Sequence, residues 1–280
     1  MMDWLDPSFI LEGVLLSIVG FFGTLGNGAA ILYFGKPHRC RQTFYGLMLA
    51  LAICDLLLII SCFCVFSLPK LADSDPYKST NLWYFQIMVW LWVFPIVHIC
   101  VTGSTYITIA ISVERYMVIC RPLFYRTHSW PLQFFIIPIV AFSILYRIPK
   151  FFELEWTTRR EERNGTNVTF PQIKVTELRT NPYYFQIYYL WSDFIINGII
   201  PFMLLIVLNV LIFKELRKYR NRSTFRKRSH LRIHQKGEAQ RRQVQMHMAK
   251  VSIIIVVIFI ICHSIKWVAN IYELICVSRK

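Results

Sequence analysis

Charged side chains are scarce in this sequence, and acidic ones scarcest. Only 17% of its 280 residues are Asp, Glu, Lys or Arg, with 16 acids against 31 Lys and Arg, while 55% are hydrophobic and mean hydropathy is +0.45. So apolar a chain excludes an ordinary soluble domain and points to a polytopic membrane protein. Its long apolar runs lack the strict alternation of a membrane β-barrel. Inverted repeats and broken midplane helices, the usual marks of a transporter, are missing as well. No cysteine or histidine spacing suits zinc, and no nucleophile stands beside a base at catalytic spacing, so neither a metal centre nor an enzyme is indicated. The opening "MMDWLDPS" has no basic segment, short apolar core or cleavage site, and the first span is expected to act as its own uncleaved signal. Cysteines are also missing from 149–183. Six of the eight (Cys54, Cys62, Cys64, Cys100, Cys120, Cys262) sit in or at the ends of apolar runs, Cys40 lies in a short basic loop, and Cys276 lies near the opposite surface.

What is present is a series of apolar segments near 8–34, 44–69, 83–118, 131–148, 184–213 and 249–277. Each reaches the roughly 20 residues that a helix needs to cross about 30 Å of hydrocarbon. Each must be helical, because lipid leaves backbone polar groups no partner outside their own segment. The stretch 214–250 carries 13 Lys and Arg against two Glu, a surplus of +11 within the chain's +15, and the positive-inside rule places it in the cytoplasm. A basic run between two membrane segments is expected to meet anionic lipid and an intracellular partner rather than nucleic acid. The near-neutral stretch 149–183 holds the sequons "NGT" at Asn164 and "NVT" at Asn167 and falls outside. Both signals put the N-terminus outside.

Polar residues within the apolar runs mark candidate function. Asp55 stands in "LALAICDLLLII", Asn27 in "TLGNGAAIL", and Ser104 stands 11 residues before Arg115, about three helical turns. Asp55, Asn27 and Ser104 could meet around a small cation or water, or each could bond its own helix. In the last segment His263, Lys266, Asn270 and Glu273 recur at spacings of three, four and three, with Phe259 one turn below, and so share a helical face. Such a face should line a cavity open to the outside. Lys266 needs a carboxylate or water there unless it snorkels to the interface, and Asp193, eight residues before Pro201, is a candidate counter-charge.

The segment "YITIAISVERYMVICRPL" ends an apolar run on Glu114, Arg115 and Tyr116. Together with "GN" at Asn27, "LAICD" ending at Asp55, Pro201 and "FIIC" at Phe259 to Cys262, it resembles the rhodopsin-like G-protein-coupled receptors. "SILYRIPKFFE" and "CHSIKWVANIYEL" are further similar to invertebrate FMRFamide-type neuropeptide receptors. The resemblance implies an all-α, rhodopsin-like transmembrane bundle in one domain over 1–280, with six of seven helices inside these residues. It implies a plasma-membrane receptor for an extracellular peptide that works through a heterotrimeric G protein. A truncated form that associates with a full-length receptor without signalling is the alternative. It also implies a switch at Glu114, Arg115 and Tyr116, partly exposed at the cytoplasmic rim, and a sodium site at Asp55, Ser104 and Asn27. Ligand contacts would come from Asp193, His263, Lys266, Asn270 and Glu273. The family's outer disulfide is not matched, since Trp90 takes one position and 149–183 offers no cysteine. Nor are three helix positions, where Asn209, His263 and Ile265 replace the family's Tyr, aromatic and Pro.

The charge reading has a direct test. Asn164 and Asn167 should carry N-glycan, whereas Asn221 of the "NRS" sequon in the basic stretch should not. Glycosidase-sensitive mass lost only on Asn221→Gln would reverse the topology.

Overall fold

The computed structural model describes residues 9–36, 42–72, 80–127, 130–163 and 166–226, together with Ile254 and Val257. Among these are five helices long and apolar enough to cross a membrane: α1 (Phe9–Phe34), α2 (Thr43–Leu71), α3 (Asn81–Cys120), α4 (Leu132–Phe152) and α5 (Tyr184–Lys218). They coincide with the first five apolar segments of the sequence. The sixth, 249–277, lies outside the described residues apart from Ile254 and Val257, both helical.

Prolines shape the helices without ending them. Pro201 in α5 and Pro69 in α2 each lack an N–H, and each ring would press on the carbonyl four residues earlier. Both follow widened π-type turns, Ile195–Ile199 and Phe63–Ser67, which take up that conflict. Pro95 and Pro138 lie inside α3 and α4.

The most buried crossing is α3, which packs against α2, α4 and α5. Phe44, Leu47 and Leu51 of α2 meet Ile107, Ala110 and Ile111 of α3, with Leu132 and Phe135 of α4 closing the group. Gly46 of α2 faces Leu132 of α4 there: a Cβ on Gly46 would stand 2.5 Å from Leu132 Cδ2, so any larger residue would require the Leu132 side chain to shift. By contrast α1 keeps little of its surface inside the protein, with Phe21 and Phe22 of "GFFG" exposed as lipid-facing residues are.

The stretch 149–183, read from the sequence only as a loop, holds an antiparallel hairpin. β1 (Leu154–Arg163) pairs with β2 (Thr166–Val175), from Leu154 opposite Val175 to Arg163 opposite Thr166. An isolated hairpin is marginal in water and needs anchors. Here they are non-covalent. Trp83 Nε1 at the start of α3 donates to Pro171 O at 2.6 Å, and Thr176 N donates to Glu153 O at 3.0 Å across the hairpin's base. Glu153 itself is fully buried. Its carboxylate takes Lys150 Nζ at 2.8 Å and the Tyr184 hydroxyl at 2.8 Å on one oxygen, and Arg179 Nη1 at 3.0 Å on the other. One carboxylate thus joins the end of α4, the exit of the hairpin and the start of α5.

Lys150 is as buried as Glu153, so removing the acid leaves a cation without its counter-charge. Glu153→Gln should therefore destabilise the protein by about 3–5 kcal/mol, and adding Lys150→Met should recover part of the loss. Thermal unfolding in detergent measures both. An unchanged midpoint for Glu153→Gln would show that Glu153 does not hold the hairpin.

Candidate functional site: buried charge pairs at the two ends of the bundle

At the end of α3 away from the hairpin, Glu114 and Arg115 are adjacent in sequence and paired in space. Arg115 Nε donates to Glu114 Oε2 at 2.6 Å, and Nη2 lies 2.5 Å from the same oxygen. Only 2% of Glu114 and 4% of Arg115 is exposed, so the pair is buried in protein rather than partly exposed at a rim as expected. Two elements cover it. Phe44 of α2 lies under the guanidinium, 3.9 Å from ring centroid to Cζ. The short helix Pro122–Thr127 brings Tyr125, whose hydroxyl donates to Glu114 Oε1 at 3.1 Å. Burial and the Glu114 charge push the Tyr125 phenol above its ordinary range, which keeps it a neutral donor. Tyr116, the third member of the triplet, points away and packs with Ile119, Ile212 and Leu216 against α5. Beside the pair lies a cavity of about 60 Å³, lined by Val113, Glu114, Met117, Tyr125, Trp130 and Phe135.

Midway along the bundle, Ser104 Oγ of α3 donates to Asp55 Oδ1 of α2 at 2.6 Å. Asn27 is not hydrogen-bonded to either. Its amide donates to Gly23 O on its own helix at 3.0 Å, the second of the two possibilities open from the sequence.

The third cluster, toward the hairpin, contains Asp193 and Arg147, which is not among the candidate residues read from the sequence. Arg147, in the last α-helical turn of α4, is 1% exposed. Its Nη2 donates to Asp193 Oδ1 at 2.5 Å and its Nε to Thr102 Oγ1 of α3 at 2.9 Å. Asn197 Nδ2, one turn after Asp193, donates to the same Oδ1 at 2.8 Å, while Asn197 Oδ1 has no hydrogen-bond partner among the described residues. The Tyr146 ring lies 4.9 Å from the Arg147 Cζ, and its hydroxyl is 2.9 Å from Ser192 Oγ. Tyr106 OH donates to Ile196 O at 2.9 Å. So α3, α4 and α5 are joined through polar side chains at one level. Arg147 supplies a cation to Asp193. His263, Lys266, Asn270 and Glu273 lie outside the described residues, as does Asn164.

A helical membrane bundle with a buried acid–arginine pair closing its third helix and a carboxylate–serine contact between its second and third defines the rhodopsin-like receptor class. Residues 26–280 match the 7 transmembrane receptor (rhodopsin family), and the chain belongs to that family. Among its relatives, the FMRFamide receptor of Drosophila melanogaster is 32% identical over 271 residues, covering 95% of this chain and 46% of that protein. The FMRFamide peptide receptor frpr-18 of Caenorhabditis elegans is 28% identical over 147 residues, 51% of this chain and 33% of that protein. The sex peptide receptor of Drosophila melanogaster is 24% identical over 229 residues, 78% of this chain and 51% of that protein. The chain thus spans about half the length, or less, of these relatives.

Proposed function

We propose that this chain is the membrane part of a plasma-membrane receptor that binds a peptide outside the cell and drives a heterotrimeric G protein inside it. The observation that carries the reading is the buried Glu114–Arg115 pair, clasped by Tyr125 and covered by Phe44. A guanidinium held by its own chain neighbour can be released by rotating one side chain, with no helix unpacked first. Inside low-dielectric surroundings it stays paired until a better partner arrives. Its end of the bundle leads into the 13 Lys and Arg of 214–250, which suits a cytoplasmic face meeting lipid headgroups and a G protein. The glycosylation sequons at Asn164 and Asn167 suit an extracellular hairpin, and with it an extracellular N-terminus.

Asp55 and Ser104 offer oxygen donors on neighbouring helices and fit a small hard cation, which is the role we assign them toward sodium, with Asn27 of α1 as the third candidate. The ligand would enter at the hairpin end, where Asp193 and, on the sixth segment, His263, Lys266, Asn270 and Glu273 would meet it. The parentage in FMRFamide-type receptors supports a peptide as ligand.

The switch reading is tested in the full-length receptor. Glu114→Gln should raise ligand-free G-protein activation several-fold, because Arg115 loses its ionic restraint. Arg115→Ala should abolish activation while surface expression and ligand binding persist. If both variants signal like the parent, Glu114 and Arg115 are structural only.

A further inference from the structure

Asp193 has a carboxylate at the level where a ligand would enter, but it is already engaged. Its Oδ1 accepts the Arg147 guanidinium and the Asn197 amide, and 15% of the aspartate side chain is exposed against 1% of Arg147. The acid is thus the more accessible partner and the arginine the deeper one. Next to them Asn197, 2% exposed, holds a carbonyl oxygen with no hydrogen-bond partner among the described residues. A buried acceptor left unmade costs about 1–3 kcal/mol, which a donor from a bound molecule would recover. Two acceptors one helical turn apart on α5, a charged Asp193 oxygen and a neutral Asn197 oxygen, suit a flat group with several N–H donors. A guanidinium carries five in a fixed fork. The protein itself shows that this group fits against the Asp193 oxygen, since Arg147 places one there.

We propose that Asp193 and Asn197 form a subsite for a guanidinium-bearing ligand, and that Arg147 is its tethered occupant, displaced from Asp193 when the ligand's guanidinium enters. Arg147 is not cast loose by the exchange. Its Nε bond to Thr102 Oγ1 and its contact with the Tyr146 ring do not involve Asp193. The exchange therefore opens the Arg147–Asp193 ionic link between α4 and α5 while leaving α4 joined to α3. The biological ligand in this proposal rests on the receptor reading. The binding chemistry does not, so a test that measures binding without signalling separates the two.

The test is chemical rescue of the purified full-length receptor in detergent, read by thermal unfolding. Arg147→Ala leaves the partly buried Asp193 without its guanidinium and should lower the midpoint. Methylguanidinium at millimolar concentration should restore a large share of that loss, whereas methylammonium or sodium chloride at equal concentration should not. The rescue should vanish in Arg147→Ala with Asp193→Asn. Argininamide should stabilise Arg147→Ala at a roughly tenfold lower concentration than it stabilises the parent, the effect of removing an internal competitor worth about 1.4 kcal/mol. Equal rescue by ammonium, or rescue that survives Asp193→Asn, overturns the subsite. Equal argininamide concentrations for variant and parent overturn Arg147 as occupant. If Arg147→Ala does not accumulate, recovery of folded protein on solubilisation in methylguanidinium and not in methylammonium gives the same decision, and no recovery in either overturns the proposal.

Discussion

A charge carried into a bilayer must be answered inside the protein, and this constraint decides how the helices of this chain are joined. Lipid tails are as apolar as leucine, so the hydrophobic effect gives one helix little preference for another. Close packing and polar links must choose the neighbours. Here α3 makes a polar link to each of three neighbours: Thr102 binds Arg147 of α4, Ser104 binds Asp55 of α2, and Tyr106 reaches the backbone of α5. Apolar clusters pack between these links, from Phe44, Leu47 and Leu51 with Ile107, Ala110 and Ile111 to Ile109 with Leu205 and Ile119 with Ile212.

The same rule explains how the hairpin stays in place without a disulfide. A covalent bridge works chiefly by restricting the unfolded chain, whereas the Glu153 carboxylate works by the cost of leaving it or Lys150 unpaired in a buried place. Three donors converge on it, and two of them, Arg179 and Tyr184, lie beyond the hairpin in sequence. The hairpin is consequently closed at its base by groups at the membrane boundary, and Trp83 holds β2 to the start of α3.

The helices were legible in the sequence because hydropathy over some 20 residues measures the very property that places a segment in lipid. The Glu114–Arg115 pairing and the Asp55–Ser104 contact were legible because each rests on a helical position and a residue type. What escaped depends on where chain segments return after leaving the membrane. Tyr125 reaches Glu114 only because the residues after Cys120 fold back as a short helix, which no periodicity in α3 announces. Burial of the pair follows from that return and from Phe44. The hairpin did carry a signal, Asn164-Gly165 between two runs rich in β-formers, but the same residues were read as a sequon. Arg147 was overlooked because a cation at the end of an apolar run reads as an interfacial anchor. Its one-residue offset from the boundary hides the fact that it turns inward to Asp193.

Two guanidinium–carboxylate pairs, one near each end of the bundle, differ in what must move to open them. Glu114 and Arg115 are consecutive on α3, and parting them changes side-chain torsions alone. Arg147 and Asp193 belong to α4 and α5, and parting them removes a restraint on how those helices sit together. Thr102, bonded to the second pair, and Arg115 of the first lie on one continuous helix, 13 residues or about 20 Å apart. A perturbation at the hairpin end therefore meets α3 directly through Thr102, and α5 through Asp193. At the opposite end α5 packs on Tyr116, beside Arg115, through Ile212 and Leu216. The cross-helix pair is placed where an incoming cation can act on helix arrangement, and the same-helix pair where a change in arrangement can be met by a side chain. Exchanging their places would leave the first unable to shift a helix and the second unable to open without one.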